Sequence, residues 1–245
     1  MINLKGKKIL IFGATGGIGY SVVETCLSIE GEVIASSRSE EKLKSIAEKT
    51  DNIQILALDL CNTSDFEDFV NTLPQIDGVV FTNGKIEPFP TKHLKSKHIN
   101  SMFDVNFSSI VELVSVLLKK GKLNNNASLV FLSSISAHHP YQGGAMYSAS
   151  KAALTAYART LALELAPKEI RANVVSPALV KTKMFDNTAS AYTTDVFNQF
   201  LDRYPLGVGE PKDVAGMIAF LLSDLSRWMT GTEIIMDGGL TLSSK

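Results

Sequence analysis

The chain has 245 residues, of which 45% are hydrophobic and 20% are charged. This size and composition suit a globular protein of one large domain or two small ones, and they exclude a chain that is disordered throughout. Lysine and arginine total 24, aspartate and glutamate total 25, and the net charge is −1. A near-neutral chain has no general attraction to nucleic acid or to an anionic membrane, so neither partner is expected.

Cys26 and Cys61 are the two cysteines of the sequence. They are too few for a disulfide framework or for a zinc site made of cysteines alone, which favours free thiols in a reducing compartment. The sequence has no uninterrupted apolar run of about 18 residues. The apolar run at residues 9–13 is too short for the core of a signal peptide. We therefore expect a cytoplasmic protein without a membrane-spanning helix.

Short apolar runs alternate with stretches of helical periodicity along the chain. The predicted strands are residues 8–12, 33–35, 53–58, 76–82, 128–132, 171–175 and 233–236. The predicted helices are residues 17–29, one that follows Ser39, one around 66–70, one at about 99–120 that is broken by Gly121 and the asparagines at 124–126, and one at about 146–167. This order predicts an α/β fold in a single domain over residues 1–245, with a doubly wound parallel sheet of about seven strands and helices on both faces.

One long stretch, residues 181–209, lacks a clear core pattern. It carries Phe185, Phe197 and Tyr204 among polar residues. A stretch of this length inside a compact domain is more often a functional lid than a plain connection, and we expect a substrate lid here. The aromatic side chains fit either a lid over an apolar substrate or ordinary helix packing.

The first predicted strand runs directly into a glycine-rich turn and then into a helix. Gly13, Gly17 and Gly19 have the spacing G-x-x-x-G-x-G. Glycines at such a position allow a tight turn and a close approach of the backbone to a pyrophosphate, while the helix N-terminus offers free N–H groups. The turn therefore predicts a dinucleotide site, although a glycine cluster alone also occurs in plain turns.

The end of the second predicted strand indicates which dinucleotide is bound. An acidic residue here would accept hydrogen bonds from the ribose 2′-hydroxyl of NAD. The chain instead has Ser36, Ser37 and Arg38, which suit a 2′-phosphate through charge-assisted hydrogen bonds. We therefore predict NADP(H), with NAD(H) less favoured; the alternative is an arginine that is merely exposed near a helix start.

Tyr147 and Lys151 form a Y-x-x-x-K pair within the predicted helix 146–167. Residues four apart lie on one face of a helix, so we expect the ammonium to lower the pKa of the phenol and to make Tyr147 a general acid/base. Ser134, 13 residues before Tyr147, follows the fifth predicted strand. Ligands of open α/β sheets bind at such strand ends.

The glycine turn, Asn106 in the sequence Asp104-Val-Asn106, Ser134 and the Tyr147/Lys151 pair together resemble the short-chain dehydrogenase/reductase family. The order of strands and helices agrees with that family from residue 5 to about 240, and it is most similar to the branch of 3-oxoacyl-carrier-protein reductases and related ketoreductases. The resemblance implies a Rossmann-type fold.

The resemblance also implies catalytic roles for four side chains. Tyr147 would protonate a carbonyl oxygen during reduction or deprotonate an alcohol during oxidation. Ser134 would hydrogen-bond the same oxygen. Lys151 would hold the nicotinamide ribose and tune Tyr147, and Asn106 would support a water-linked proton relay to Lys151.

The cofactor contacts implied by the resemblance lie in loops after successive strands. The implied set is Gly13, Thr15, Gly17, Ile18, Gly19, Ser37, Arg38, Asp59, Leu60, Asn83, Gly84, Tyr147, Lys151, Pro177, Val180 and Thr182. Two positions depart from the family pattern. Phe81-Thr82-Asn83-Gly84 replaces the usual Asn-Asn-Ala-Gly, and Pro177-Ala178 replaces Pro-Gly. The first change requires Thr82 or Asn83 to supply the hydrogen bonds of that turn.

These observations support two hypotheses of different class. The first is an NADP(H)-dependent ketoreductase or alcohol dehydrogenase that acts on a carbonyl compound or a secondary alcohol. The second is a non-catalytic dinucleotide-binding regulatory protein on the same fold. The four catalytic-type side chains favour the enzyme.

The substrate is less well defined by the sequence. A carrier-bound acyl chain would need a basic docking surface, but residues 124–126 are neutral asparagines and only Lys168 and Arg171 lie near the sixth strand. The two long helices resemble those that the family uses for dimer and tetramer contacts, so the resemblance implies a homodimer or homotetramer. No metal is expected, because adjacent histidines, His138 and His139, make a poor metal pair. The acids Asp65, Glu67 and Asp68 fit a solvated helix start.

Overall fold

A computed structural model describes residues 2–50, 52–189 and 194–242. A seven-stranded sheet runs through its centre in the order β3-β2-β1-β4-β5-β6-β7, and every neighbouring pair is parallel. The strands are β1 Lys8–Phe12, β2 Glu32–Ser37, β3 Ile53–Ala57, β4 Ile76–Phe81, β5 Leu123–Leu132, β6 Arg171–Pro177 and β7 Glu233–Met236. The predicted doubly wound parallel α/β sheet is confirmed.

Helices cover both faces of the sheet. In the described ranges they are α1 Gly17–Ser28, α2 Glu40–Ala47, α3 Phe66–Thr72, α4 Ser96–Phe103, α5 Ser109–Lys119, α6 Ala145–Leu165, α7 Lys183–Ala189, α8 Thr194–Leu201 and α9 Pro211–Leu222. One buried cluster lies between the sheet and α3, α5 and α6. A second lies between the opposite face and α1, α2 and α9. Both faces of the strands are therefore buried, which explains their continuous apolar runs.

The fifth strand is longer than predicted. It begins at Leu123 and includes the asparagines expected to form a break. Asn124 donates a hydrogen bond from Nδ2 to Oδ1 of Asp77 at 2.7 Å, and Asn126 adopts a positive φ of 66° beside a register shift between β4 and β5. Asparagine tolerates this backbone region, so the strand continues through an irregularity instead of ending. The sixth strand likewise extends to Pro177, two residues beyond its predicted end.

The long helix before β5 begins at Ser96 and not at the predicted residue 99, and it contains a π-helical turn at Asp104–Ser108. From Ser96 to Lys119 it spans 24 residues and is apolar enough, by length and composition, to cross a membrane. Ile110, Leu113 and Leu117 are nevertheless fully buried in the core. Packing against the sheet accounts for the apolar character of this part of the helix.

The predicted lid segment contains two short helices, α7 and α8, and residues 190–193 within it lie outside the described ranges. The Phe185 and Phe197 rings meet edge to face with centroids 5.3 Å apart. Phe197 and Tyr204 are buried. The aromatic residues thus pack against their own segment, and its role as a lid remains a prediction.

Three phenylalanines stack across the centre of the sheet. The ring centroids of Phe12 and Phe81 are 5.2 Å apart, and those of Phe81 and Phe131 are also 5.2 Å apart at an interplanar angle of 3°. All three rings are essentially inaccessible to solvent. They join β1, β4 and β5, the strands whose ends carry the glycine turn, Asn83 and Ser134.

We expect Phe81→Ala to lower the free energy of unfolding by about 3–5 kcal/mol, because it removes a fully buried ring and both stacked contacts. Urea denaturation measures this change. Trp228, which is 91% exposed, provides the control: Trp228→Ala should change the free energy of unfolding by less than about 0.5 kcal/mol. Equal effects of the two substitutions would contradict this description of the core.

Candidate active site

The glycine turn after β1 is held in one conformation by close backbone contacts. Gly13 has a φ of +76°, and a Cβ atom on Gly19 would lie 2.1 Å from the carbonyl oxygen of Gly13. The N–H of Gly16 donates to the same oxygen at 2.9 Å. Because a side chain at position 19 cannot be accommodated, the first turn of α1 lies directly against the loop. This arrangement leaves backbone N–H groups of the helix start available to an anion.

The loop after β4 is connected to this turn. Thr82 donates a hydrogen bond from Oγ1 to the carbonyl of Phe12 at 2.7 Å, and Asn83 donates from Nδ2 to the carbonyl of Val105 at 2.9 Å. Thr82 and Asn83 therefore supply the hydrogen bonds of the turn that departs from the family pattern. Gly84 leaves room for Lys151, whose Nζ would lie 3.4 Å from a Cβ atom at that position.

Two buried polar atoms in this region lack a hydrogen-bond partner within the described part of the chain. They are Oδ1 of Asn83 after β4 and Oγ of Ser36 at the end of β2. Buried polar groups of proteins are otherwise almost always satisfied. Together with the glycine turn, these two atoms fit a polar ligand such as a dinucleotide along the carboxyl edge of β1, β2 and β4.

The residues predicted to contact the adenosine end also lie together. Arg38 follows β2 and is exposed, whereas Ser37 is buried. Asp59 and Leu60 follow β3, and Oδ1 of Asp59 accepts a hydrogen bond from the N–H of Cys61 at 3.0 Å. Burial and Asp59 raise the pKa of the Cys61 thiol, while Arg38 acts in the opposite direction. The N–H of Leu58 donates to the carbonyl of Ser37 at 3.0 Å, so Arg38 and Asp59 follow the paired ends of β2 and β3.

The loop after β6 reaches the glycine turn from the other side. Val180 pairs with Gly209, and a Cβ atom on Gly17 would lie 2.7 Å from Cγ2 of Thr182. Pro177 is the last residue of β6. Thr15 is partly exposed in the turn, and Ile18 packs against the core beneath it. The structure therefore brings the predicted contacts from both ends of the chain to one edge of the sheet.

Ser134 and Tyr147 form the centre of the predicted catalytic group. Ser134 follows β5 and accepts a hydrogen bond from the N–H of Ser136 at 3.2 Å, which fixes the start of the next turn. Tyr147 lies in the first turn of α6, is buried, and lies beside Ser134, whose hydroxyl acts to lower the pKa of the phenol. The two hydroxyl groups are thus close enough to contact one substrate oxygen.

The effect of Lys151 on Tyr147 differs from the prediction. Burial raises the pKa of Tyr147, and the neighbouring Ser134 hydroxyl opposes that rise. The expectation that Lys151 lowers this pKa is wrong for the structure as it stands. Nζ of Lys151 lies 5.9 Å from the centroid of the Tyr147 ring and donates to the carbonyl of Leu132 at 2.7 Å. Burial also lowers the pKa of Lys151 to about 8, which weakens its positive charge.

Asn106 lies in the π-helical turn and is completely buried. Its Oδ1 accepts from the N–H of Lys85 at 2.7 Å, and its Nδ2 donates to the carbonyl of Lys85 at 2.9 Å. Nδ2 also lies 3.1 Å from Oγ of Ser150, the neighbour of Lys151. Asn106 therefore ties the loop after β4 to the catalytic helix, and the proton relay implied by the family resemblance remains a prediction.

Sequence reasoning missed a buried carboxylate beside this site. Oε2 of Glu233 lies 2.7 Å from Nε2 of His138, and Oε1 accepts from the Ser176 hydroxyl at 2.7 Å. Arg159 lies 3.5 Å from the same carboxylate. His138, which follows the turn after Ser134, is therefore held against β6 and β7. A glutamate in an otherwise apolar predicted strand was the signal that could have revealed this group.

Other candidates contribute less to the site. His139 is exposed, and in the described ranges no group of three or more His, Cys, Asp or Glu residues is arranged to hold a metal ion. Asp65 and Glu67 lie at the start of α3, as expected for a helix start. Arg171 is buried and donates to the Ser226 hydroxyl at 3.0 Å, so it cannot belong to an exposed docking surface.

Comparison with known proteins identifies the class. Residues 13–241 match the family model described as enoyl-(acyl carrier protein) reductase. A short-chain dehydrogenase/reductase from Brucella melitensis superposes with a TM-score of 0.90 at 26% sequence identity, covering 98% of each chain. The chain belongs to the short-chain dehydrogenase/reductase family and is an oxidoreductase.

Its relatives include several reductases and dehydrogenases. The chain is 32% identical to the 3-oxoacyl-[acyl-carrier-protein] reductase FabG of Rickettsia felis, over 99% of this chain and all of that protein (100%). It is 30% identical to the 7alpha-hydroxysteroid dehydrogenase of Bacteroides fragilis, over 99% of this chain and 97% of that protein. The chain is therefore similar over its full length to enzymes that act on ketone or alcohol groups.

The lowered pKa of Lys151 predicts a pH dependence of stability in the protein without cofactor. The folded protein holds this lysine with a pKa of about 8 against an ordinary value of 10.5, so the unfolded chain binds more protons between these two values. Stability relative to Lys151→Met should therefore rise by about 2 kcal/mol between about pH 7 and pH 9.5.

Urea denaturation at several pH values measures this difference. Lys168→Met, which alters an exposed lysine, should show no comparable trend relative to the unaltered protein. If the stability difference between the unaltered protein and Lys151→Met stays constant over this pH range, then the buried lysine is not neutralised as described.

Proposed function

We propose that the protein is an NADP(H)-dependent ketoreductase, which transfers a hydride between the nicotinamide and a carbonyl compound or secondary alcohol. The observation that carries this proposal is the placement of the Ser134 hydroxyl beside the buried Tyr147 phenol, where it opposes the rise of the phenol pKa. The two groups lie at the same sheet edge as the glycine turn. A carbonyl oxygen that accepts from both hydroxyls would be held where negative charge develops during reduction.

The raised pKa of Tyr147 suits the reductive direction. A phenol that remains protonated at neutral pH has a proton to donate, and transfer of that proton to the developing alkoxide completes the alcohol. Ser134 hydrogen-bonds the same oxygen and stabilises its charge. The bound nicotinamide supplies the hydride. Lys151, with its pKa of about 8, can return a proton towards Tyr147 near neutral pH.

NADP(H) is favoured over NAD(H) by the residues after β2. Arg38 is exposed and forms no ion pair with any described residue, so its guanidinium is available to a 2′-phosphate. The preceding Ser36 and Ser37 carry no charge that would repel one. The Oγ of Ser36, which is buried without a partner among the described residues, is a further donor in this region.

The non-catalytic alternative is weaker. A protein that only binds a dinucleotide has no need for a serine hydroxyl beside a buried tyrosine or for a buried lysine one helical turn further on. We further propose a cytoplasmic homodimer or homotetramer with a substrate lid at residues 181–209. Leu163 on α6, which is 79% exposed, supports an assembly in which this helix is covered.

Tyr147→Phe is expected to lower kcat about 10²- to 10⁴-fold, because it removes the proton donor and leaves the ring in place. The dissociation constant for NADPH, measured by fluorescence titration, should change little. Tyr157→Phe on the same helix is the matched control: the Tyr157 ring packs edge to face on Phe107 and Phe131, so kcat should be retained. A Tyr147→Phe variant with unaltered kcat would refute the mechanism.

Arg38→Asp is expected to raise KM for NADPH about 100-fold, because it replaces the cation that would pair with the 2′-phosphate by an anion. KM for NADH should fall or stay constant, since aspartate can accept from a ribose hydroxyl. Arg227→Asp, also at an exposed arginine, should alter neither value. Unchanged KM for NADPH in Arg38→Asp would remove the basis for the cofactor assignment.

A further inference from the structure

A strongly basic segment follows the candidate site loop after β4. We call residues 91–98 the basic strap; it contains Lys92, His93, Lys95 and Lys97, all exposed. Between Glu87 and Asp104 the sequence has no acidic residue. The strap therefore presents several positive charges within one short exposed segment of a chain that is otherwise close to neutral.

The three lysines of the strap form no ion pair with any residue that the structure describes. The nearby Lys85, by contrast, forms an ion pair with Glu87 at 2.8 Å. Unpaired like charges that lie close together repel each other and create a positive surface potential. Such a surface is suited to a negatively charged partner.

The strap is fixed beside the catalytic helix. Phe89, just before it, donates from its N–H to the carbonyl of Gly143 at 2.8 Å. The Phe89 ring lies 4.2 Å from the His98 ring, centroid to centroid, and His98 accepts from the N–H of Lys95 at 3.1 Å. Leu94 and His98 of the strap line a small cavity together with Met146, the residue before Tyr147. The positive charges are thus held close to the start of α6.

The region around residues 124–126, Lys168 and Arg171, which was considered for carrier docking from the sequence, does not form a basic surface. Arg171 is buried and bonded to the 223–226 turn, and the asparagines at 124–126 belong to β5. Among these residues, Lys168 alone is an exposed cation. The basic strap is the stronger positive surface, and it lies at the carboxyl edge of the sheet, where the reaction would take place.

We propose that the basic strap is the docking surface for an acidic carrier protein that presents its acyl chain to the site as a thioester. This inference rests on the proposed ketoreductase function and names its partner. The strap lysines are spread along an exposed segment and do not converge on a cavity. This spread is typical of the charged rim of a protein–protein interface, whereas a phosphate pocket would bring the charges together.

The test compares one acyl group on different carriers. Acetoacetyl groups are attached to a bacterial acyl carrier protein, to coenzyme A and to N-acetylcysteamine, and NADPH consumption is followed for each. In Lys92→Glu/Lys95→Glu/Lys97→Glu, we expect kcat/KM for the carrier-bound substrate to fall about 10-fold or more at low salt and by less at high salt. The value for the N-acetylcysteamine thioester should stay within about twofold, because charges at the rim act on association with the partner.

A matched control variant makes the same change in net charge at three lysines far from the strap. Lys5, Lys49 and Lys119 are exposed; they precede β1, β3 and β5 and therefore lie at the opposite edge of the sheet. Lys5→Glu/Lys49→Glu/Lys119→Glu should leave kcat/KM for the carrier-bound substrate nearly unchanged. An equal loss in both triple variants would show a general charge effect and would overturn the proposal.

Three further results would also overturn it. The first is an equal loss for all three thioesters, and the second is a loss for acetoacetyl-coenzyme A as large as that for the carrier. The third is a loss for the carrier-bound substrate in Lys168→Glu but not in the strap variant. If the unaltered protein reduces no carbonyl compound with NADPH, these thioesters included, the proposed function fails. Calorimetric titration with the loaded carrier then tests docking directly: weaker binding by the strap variant supports the surface, and equal binding overturns it.

Discussion

The parallel order of the sheet is the constraint on which the site depends. Strand order reverses direction between β1 and β4, so the connections that leave these neighbouring strands go to opposite faces and open a crevice between them. All strands end at the same edge. The glycine turn, Asn83, Ser134 and Pro177 follow different strands and are far apart in sequence, yet this single arrangement brings them together.

Burial then determines the chemistry of the groups at that edge. Tyr147 and Lys151 are both removed from solvent, and burial favours the neutral form of each. The pKa of Tyr147 rises and that of Lys151 falls to about 8. Tyr147 is therefore a proton donor, and the neighbouring Lys151 is a weakened cation. This pair is suited to donating a proton from Tyr147 to a substrate oxygen and to replacing that proton from Lys151 near neutral pH. Asn106 joins the loop after β4 to the catalytic helix through Lys85 and Ser150, and Glu233 holds His138 and Ser176 beside the site.

Much of the fold could be predicted from sequence, because strands buried on both faces leave continuous apolar runs. The strand at 233–236 was placed within its observed bounds for this reason. The predicted β5 begins too late, because asparagine is typical of turns. Only the pairing with β4 and the hydrogen bond to Asp77 show that Asn124 belongs to the strand. Helix α9 was missed, although Glu210 and Pro211 are typical of a helix start.

The site residues also fall into those that the sequence could reveal and those that it could not. Residues that act through a local pattern, such as the glycine turn and the Tyr147/Lys151 pair, could be found from spacing. The contacts of Glu233 with Ser176 and His138 join residues that are 57 and 95 positions apart, and no local pattern records them. The direction of the Tyr147 pKa shift was misjudged for a related reason, since sequence shows the neighbouring charge but not the depth of burial.

The reaction itself gives the most direct test of the central claim, that this edge of the sheet reduces a carbonyl group. NADPH that carries deuterium at its transferable nicotinamide position would be incubated with the protein and an acetoacetyl thioester, alongside a matched enoyl thioester, and the products analysed by mass spectrometry. The account predicts one deuterium on the carbinol carbon of a 3-hydroxyacyl product and no reduction of the enoyl thioester. Deuterium in a saturated acyl product with the ketone left unreduced, or no transfer to either compound, would contradict it.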